Sequence, residues 1–150
     1  MTITSEETVP PVPITPRELI SPSLFERLVG RVVKDERLSP QYAARVMEQT
    51  LAFLATCARH PNAGLSPSKA VDLGWHAFVL CTAEYAEFCQ RAAGRFIHHV
   101  PIDDDGDHDE AVVTRTVTAM RAAGLPVDEE LWQPDAADCN QCYAGCHDSP

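Results

Sequence analysis

Apolar residues recur three and four positions apart along most of the chain, the spacing of helices with one buried side. Leu24, Phe25, Leu28, Val29, Val32 and Val33 share one face of a helix predicted over 22–36. Val46, Met47, Leu51, Leu54 and Ala58 form the stripe of a second, over 40–60, which Pro61, Asn62 and Gly64 terminate. A third is predicted over 67–80. Thr82 opens a fourth, with Glu84 and Glu87 near its start, Tyr85, Phe88, Cys89 and Ala92 turned inward, and Gly94 at its end. Ser21-Pro22, Ser39-Pro40 and Ser66-Pro67 each place a capping hydroxyl before a proline suited to the first helical position.

Residues 96–101 read as extended. An acidic loop follows at 103–106. Asp107 and Glu110 form a capping box for a fifth helix over 108–123, with Val113, Val117 and Met120 as its core face and Gly124 and Pro126 as its stop. Leu131-Trp132 is a short apolar anchor. With no strand alternation, the fold class predicted is all-α: a small bundle of about five helices with an irregular Cys-rich C-terminal tail. The organisation predicted is a disordered N-terminal arm over 1–16, a helical domain over 17–124 and an acidic tail over 125–150.

Composition narrows the function. A chain of 150 residues suits one domain, and 45% apolar with 23% charged residues suits a globular one. No apolar run approaches the roughly 18 residues of a membrane span. The first 16 residues show neither a basic nor an apolar leader region, which predicts no signal peptide and a cytoplasmic location. Residues 1–95 hold ten acids and ten bases, whereas residues 96–150 hold twelve acids against Arg115 and Arg121. The acidic C-terminal third repels phosphate backbones, so no nucleic acid is expected, and it suits a basic protein partner or cations. The reducing compartment argues against disulfides, and Cys57, Cys81 and Cys89, in helical patterns, read as small buried apolar residues.

Candidate chemistry gathers in two places. The third helix is apolar nearly all round, which predicts the central position. Its polar exceptions, Lys69, Asp72 and His76, lie on one narrow stripe. A carboxylate and an imidazole one turn apart are satisfied either by a hydrogen bond or by a metal, with the Asp as ligand or as the acceptor behind a His ligand. His98 and His99, adjacent in an extended segment, point to opposite sides, so one of them can join a shared site. Asp72, His76, Cys89 and one of His98 or His99 make a tetrahedral zinc set or an open non-haem iron set. The second place is Cys139-x2-Cys142-x3-Cys146-His147, three thiolates and an imidazole within reach of one ion. The spacing matches neither ferredoxin run, which places iron–sulfur behind zinc. No Lys or Arg follows Arg121 to lower a thiol pKa there, which argues against a nucleophilic cysteine.

The run Val71-Asp72 … Trp75-His76 … Tyr85 … Phe88-Cys89 … Gly94 … His98-His99 resembles the glycine-rich domain-containing-protein-like family over about residues 20–101. The resemblance implies a compact helical domain, found alone in bacteria and joined to other modules in plants, and implies no established reaction. Plant members often carry a second His two residues after the first, where this chain has Phe78, and the glycine-rich tract is missing, with 7 Gly in all.

An EF-hand fails, because Gly106 at its sixth position would put Pro101 and Val112 at the first and twelfth. The signatures G-x-S-x-G, H-E-x-x-H, the P-loop and G-x-G-x-x-G are absent. The function expected is that of a small non-catalytic metal-binding protein, zinc first, with the tail thiolates as its leading ligands. The alternatives are a metal-dependent enzyme with a His/Asp site in the helical domain, and an interaction module with an acidic tail.

Overall fold

Each of the first three helices begins where a serine oxygen can take up a free backbone amide. Ser21 Oγ accepts from the Leu24 amide and Ser39 Oγ from the Tyr42 amide, each at 3.2 Å. Pro22 and Pro40 follow as first helical residues. Such caps are worth about 1 kcal/mol each. The computed structural model describes residues 15–99 and 110–134. Within them the order is a 3-10 helix Pro16–Leu19, α1 Pro22–Glu36, α2 Pro40–Arg59, α3 Lys69–Leu80, α4 Thr82–Ala93, α5 Glu110–Ala122 and a 3-10 helix Glu129–Trp132. The fold is a small all-α bundle, with no strand among the described residues.

Two helix starts differ from the expected ones. The cap of α3 is Ser68, whose Oγ accepts from the Val71 amide at 3.2 Å. Ser66 is tied elsewhere, its amide donating to Thr116 Oγ1 at 3.0 Å, and Pro67 lies buried ahead of the helix. Cys81, between α3 and α4, occupies the cap position of α4 and makes no side-chain cap, and Thr82 is already helical. Ala92 is exposed, and on α5 the buried residues are Val113, Thr116 and Met120, with Val117 partly covered. Thr116 fits inside because its hydroxyl is used, donating to Val112 O at 2.9 Å while receiving Ser66.

The central helix is α2 rather than α3. Residues 49–56 of α2 are all buried, whereas α3 leaves Leu80 51% exposed and His76 exposed. The reason is neighbours: α2 packs against α1, α3, α4, α5 and the first 3-10 helix. The α2–α3 crossing is very close. A Cβ on Gly74 would stand 2.1 Å from Thr50 Oγ1, so only glycine fits there. Thr50 Oγ1 lies 2.8 Å from Val46 O and 3.0 Å from Val71 O, one acceptor on each helix.

The core takes in residues beyond 124. Leu125, Leu131 and Trp132 are buried. Gln49, itself 4% exposed, holds them: its Oε1 accepts from Trp132 Nε1 at 2.7 Å and the Asp128 amide at 3.1 Å, and its Nε2 donates to Pro126 O at 3.0 Å. Ser68 Oγ donates to Leu131 O at 2.7 Å. Arg45 grips Asp128 with two bonds, at 2.7 and 2.9 Å, and Glu130 at 3.1 Å. Hydrogen bonding to Asp128 above all pushes the Arg45 guanidinium pKa still higher. The N-terminal arm to residue 14, the acidic loop with Asp107, and the tail with Cys139, Cys142, Cys146 and His147 lie outside the described residues.

Candidate functional site: a carboxylate–imidazole pair on α3

The cap at Ser68 sets the phase of α3, and the helical period does the rest. Asp72 sits in the first turn, where a carboxylate is favoured by the helix dipole. Trp75 and His76 follow one turn later, at i+3 and i+4. The histidine across from them arrives from a different element. α4 ends at Gly94, whose φ of 68° lets the chain reverse without a Cβ penalty. Residues 95–99 then run back without helix or strand. The side chains alternate: Phe96 is 44% exposed, Ile97 is 5% exposed, His98 is exposed, and His99 turns in.

His99 Nε2–H donates to Asp72 Oδ1 at 2.8 Å. The His99 side chain is 8% exposed and that of Asp72 28%, so the pair lies at the rim of the fold and reaches solvent through the carboxylate. The indole of Trp75 forms the inner wall, edge-on to the His99 ring with centroids 4.5 Å apart. The His76 ring lies 6.0 Å from that of His99, on the exposed side.

A buried relay beneath holds this wall in place. Trp75 Nε1–H donates to Tyr85 Oη at 2.9 Å, and Tyr85 Oη–H donates to Ile97 O through a short contact. The ring of Trp75 also packs edge-on against Phe53 of α2 at 5.2 Å. Tyr85 thus links α3, α4 and the segment carrying His99 by one hydroxyl, and burial pushes its phenol pKa upward. Nothing in the spacing of Trp75 and Tyr85 along the chain singles them out for this role. The available signal was generic, namely that a buried indole N–H and a buried phenol each need a partner.

Of the other residues predicted for the domain site, His98 is exposed and packs on the Phe96 ring at 4.9 Å. Cys89 is fully buried in the core. Among the described residues no group of three or more His, Cys, Asp or Glu side chains is arranged around a common point fit for a metal ion. The assembled unit is the Asp72–His99 pair with His76 alongside. Cys57, Cys81 and Cys89 are free thiols. Burial pushes the Cys57 thiol up to about 12, so it stays protonated near neutral pH.

No described helix is long and apolar enough to cross a membrane. No curated protein and no solved structure matches the chain. A family model does match, and it covers residues 17–115, from the first 3-10 helix into α5, with every residue of the Asp72–His99 site inside it. With well over half of its length matched, the chain belongs to the UCP032817-like family.

Proposed function

We propose that this protein is a small, non-catalytic metal-binding protein, and that its helical domain takes a divalent transition ion, zinc first, at Asp72 and His99. The observation that carries the reading is the 2.8 Å separation of His99 Nε2 and Asp72 Oδ1. Zinc–nitrogen and zinc–oxygen bonds are about 2.0–2.2 Å and zinc sites are nearly always tetrahedral, so two such donors on one ion stand about 3.4 Å apart. An ion can therefore replace the bridging proton once the two groups part by about half an ångström, and Asp72, the more exposed of the pair, is the side free to move. The near-complete burial of His99 against Trp75 fixes the imidazole in advance, which lowers the ordering cost of binding. The tail thiolates Cys139, Cys142 and Cys146 with His147 form a second candidate set on their spacing alone. A metal-dependent enzyme is the alternative, favoured by the partial exposure of Asp72, which leaves one side of an ion open to water and small molecules.

The test is metal content per chain by elemental mass spectrometry on the full chain, as purified and after reconstitution with Zn²⁺. Near-stoichiometric metal that survives Cys139→Ser and is reduced by the Asp72→Asn, His99→Ala double variant supports the domain site. Metal lost with Cys139→Ser alone moves the site to the tail. A chain that takes up no metal under either condition overturns the reading.

A further inference from the structure

We infer that Cys139 and Cys142 of the C-terminal tail supply the two remaining ligands of that ion, so that Asp72, His99 and the C-x2-C pair share one tetrahedral zinc and the tail is pinned to the outer side of α3. This rests on the metal reading above and adds the source of its missing ligands. A tetrahedral zinc takes four ligands. Asp72 and His99 supply two, and among the described residues no third His, Cys, Asp or Glu side chain joins them. The tail has the complementary shortfall. Cys139-x2-Cys142 is the usual two-thiolate half of a zinc site, and no second C-x2-C occurs in the chain.

The fold sets the origin of the tail beside the pair. Leu131 and Trp132 are buried, and Ser68 Oγ donates to Leu131 O at 2.7 Å. Ser68 is also the cap of α3, and its carbonyl accepts the Asp72 amide at 2.9 Å, one turn on. Pro134, the last described residue, lines one cleft with Ser68 and Lys69. Trp132 and Trp75 both pack on Phe53, with ring centroids 6.3 and 5.2 Å from it, and Trp75 meets His99 at 4.5 Å. In series these contacts keep the Trp132 and His99 rings within about 16 Å of each other, and the seven residues from Trp132 to Cys139 can span about 23 Å. A tether this short raises the effective concentration of the two thiols at the site. The partial exposure of Asp72 leaves the outer side of the ion open to them. Two thiolates beside an imidazole and a carboxylate also favour zinc over the harder Mg²⁺ and Mn²⁺.

Co²⁺ is the probe, titrated without oxygen into the reduced full chain. Two readouts are independent. The thiolate-to-cobalt charge-transfer band counts the sulfur ligands, and paramagnetically shifted imidazole N–H signals report the histidines on the ion. The expected result is one ion per chain, with a two-thiolate band and one shifted imidazole. Cys139→Ser with Cys142→Ser then removes the band, His99→Ala removes the imidazole signal, and each weakens Co²⁺ binding at least about tenfold. Asp72→Asn, at the more exposed position of the pair, should weaken binding likewise with less risk to the fold, which far-ultraviolet circular dichroism verifies in each variant. A His99 signal and an affinity unchanged by the cysteine substitutions overturn the shared site and leave the Asp72–His99 reading standing. A thiolate band unchanged by Asp72→Asn and His99→Ala, with no His99 signal in the parent, puts the ion on the tail alone and overturns both. A chain that binds no Co²⁺ overturns both as well.

Discussion

The two sides of α3 are built on opposite principles. Toward α2 the helix is closed and dry: Gly74 lies under Thr50 and Val46 with no room for a methyl group, and Ala70, Val71 and Phe78 are fully buried. Toward residues 95–99 it is polar and layered. A buried relay of Trp75 and Tyr85 lies inside, and the Asp72–His99 pair lies outside with His76 exposed beside it. Shape complementarity secures the first side, where any added atom must displace a neighbour. Hydrogen bonds secure the second, where the cost of change is the number of buried partners left unpaired. Tolerance to substitution should therefore fall off across the helix in a fixed order.

The severest break in that pattern is expected at Gly74→Ala. Its Cβ meets Thr50 Oγ1 at 2.1 Å and Val46 Cγ1 at 3.1 Å, so two helices must part, at a cost of about 3 kcal/mol. Urea unfolding measures it. Adding Thr50→Ala removes the closest of these atoms and should restore part of the loss. If Gly74→Ala alone proves neutral, the close crossing is not a constraint.

Tyr85→Phe comes next, at about 2 kcal/mol, because it leaves the Trp75 indole N–H and the Ile97 carbonyl without their shared partner. The same hydroxyl predicts a pH limit. Its folded pKa is raised by burial, so its contribution is complete below the ordinary phenol value of about 10 and is lost as pH rises through the folded value. The parent should lose stability in alkali more steeply than Tyr85→Phe does. Parallel curves would remove Tyr85 as the cause.

Asp72→Ala should cost about 1 kcal/mol, since the carboxylate is partly exposed and water can replace part of its role. In the same unfolding series His76→Ala should stay within about 0.5 kcal/mol. Ranked by stability, His76 comes last on this side of the helix. A His76→Ala variant with a large stability loss would show that the outer layer is structural.

Much of this arrangement was legible in the chain. The apolar stripes of α1 and α2, the Ser-Pro starts at Ser21 and Ser39, and the Gly94 stop are local signals, and local backbone chemistry decided them. The expectation that one of His98 and His99 faces the domain and the other faces away follows from the two-residue period of extended backbone, and the structure has that alternation. The start of α3 differs from the expected one because Ser66 and Ser68 are both good caps by themselves. The choice between them was made by Thr116 and Leu131, some fifty and sixty residues away. Gln49 carries no local signal of its role, because the clamp on Pro126, Asp128 and Trp132 depends on a segment that only folding brings beside it.

The sequence by itself determined the helices, most of their ends and the pairing of Asp72 with His76 on one side of α3, because these depend on interactions within a few residues. Only the tertiary structure decided that α2 and not α3 is central and that His99 is the histidine meeting Asp72. Helical period fixes where a side chain points relative to its own axis and says nothing about which neighbour it finds. That second choice was settled by close packing at Gly74 and by the need of buried Trp75 and Tyr85 for partners, which together bring residues 95–99 to the outer side of α3.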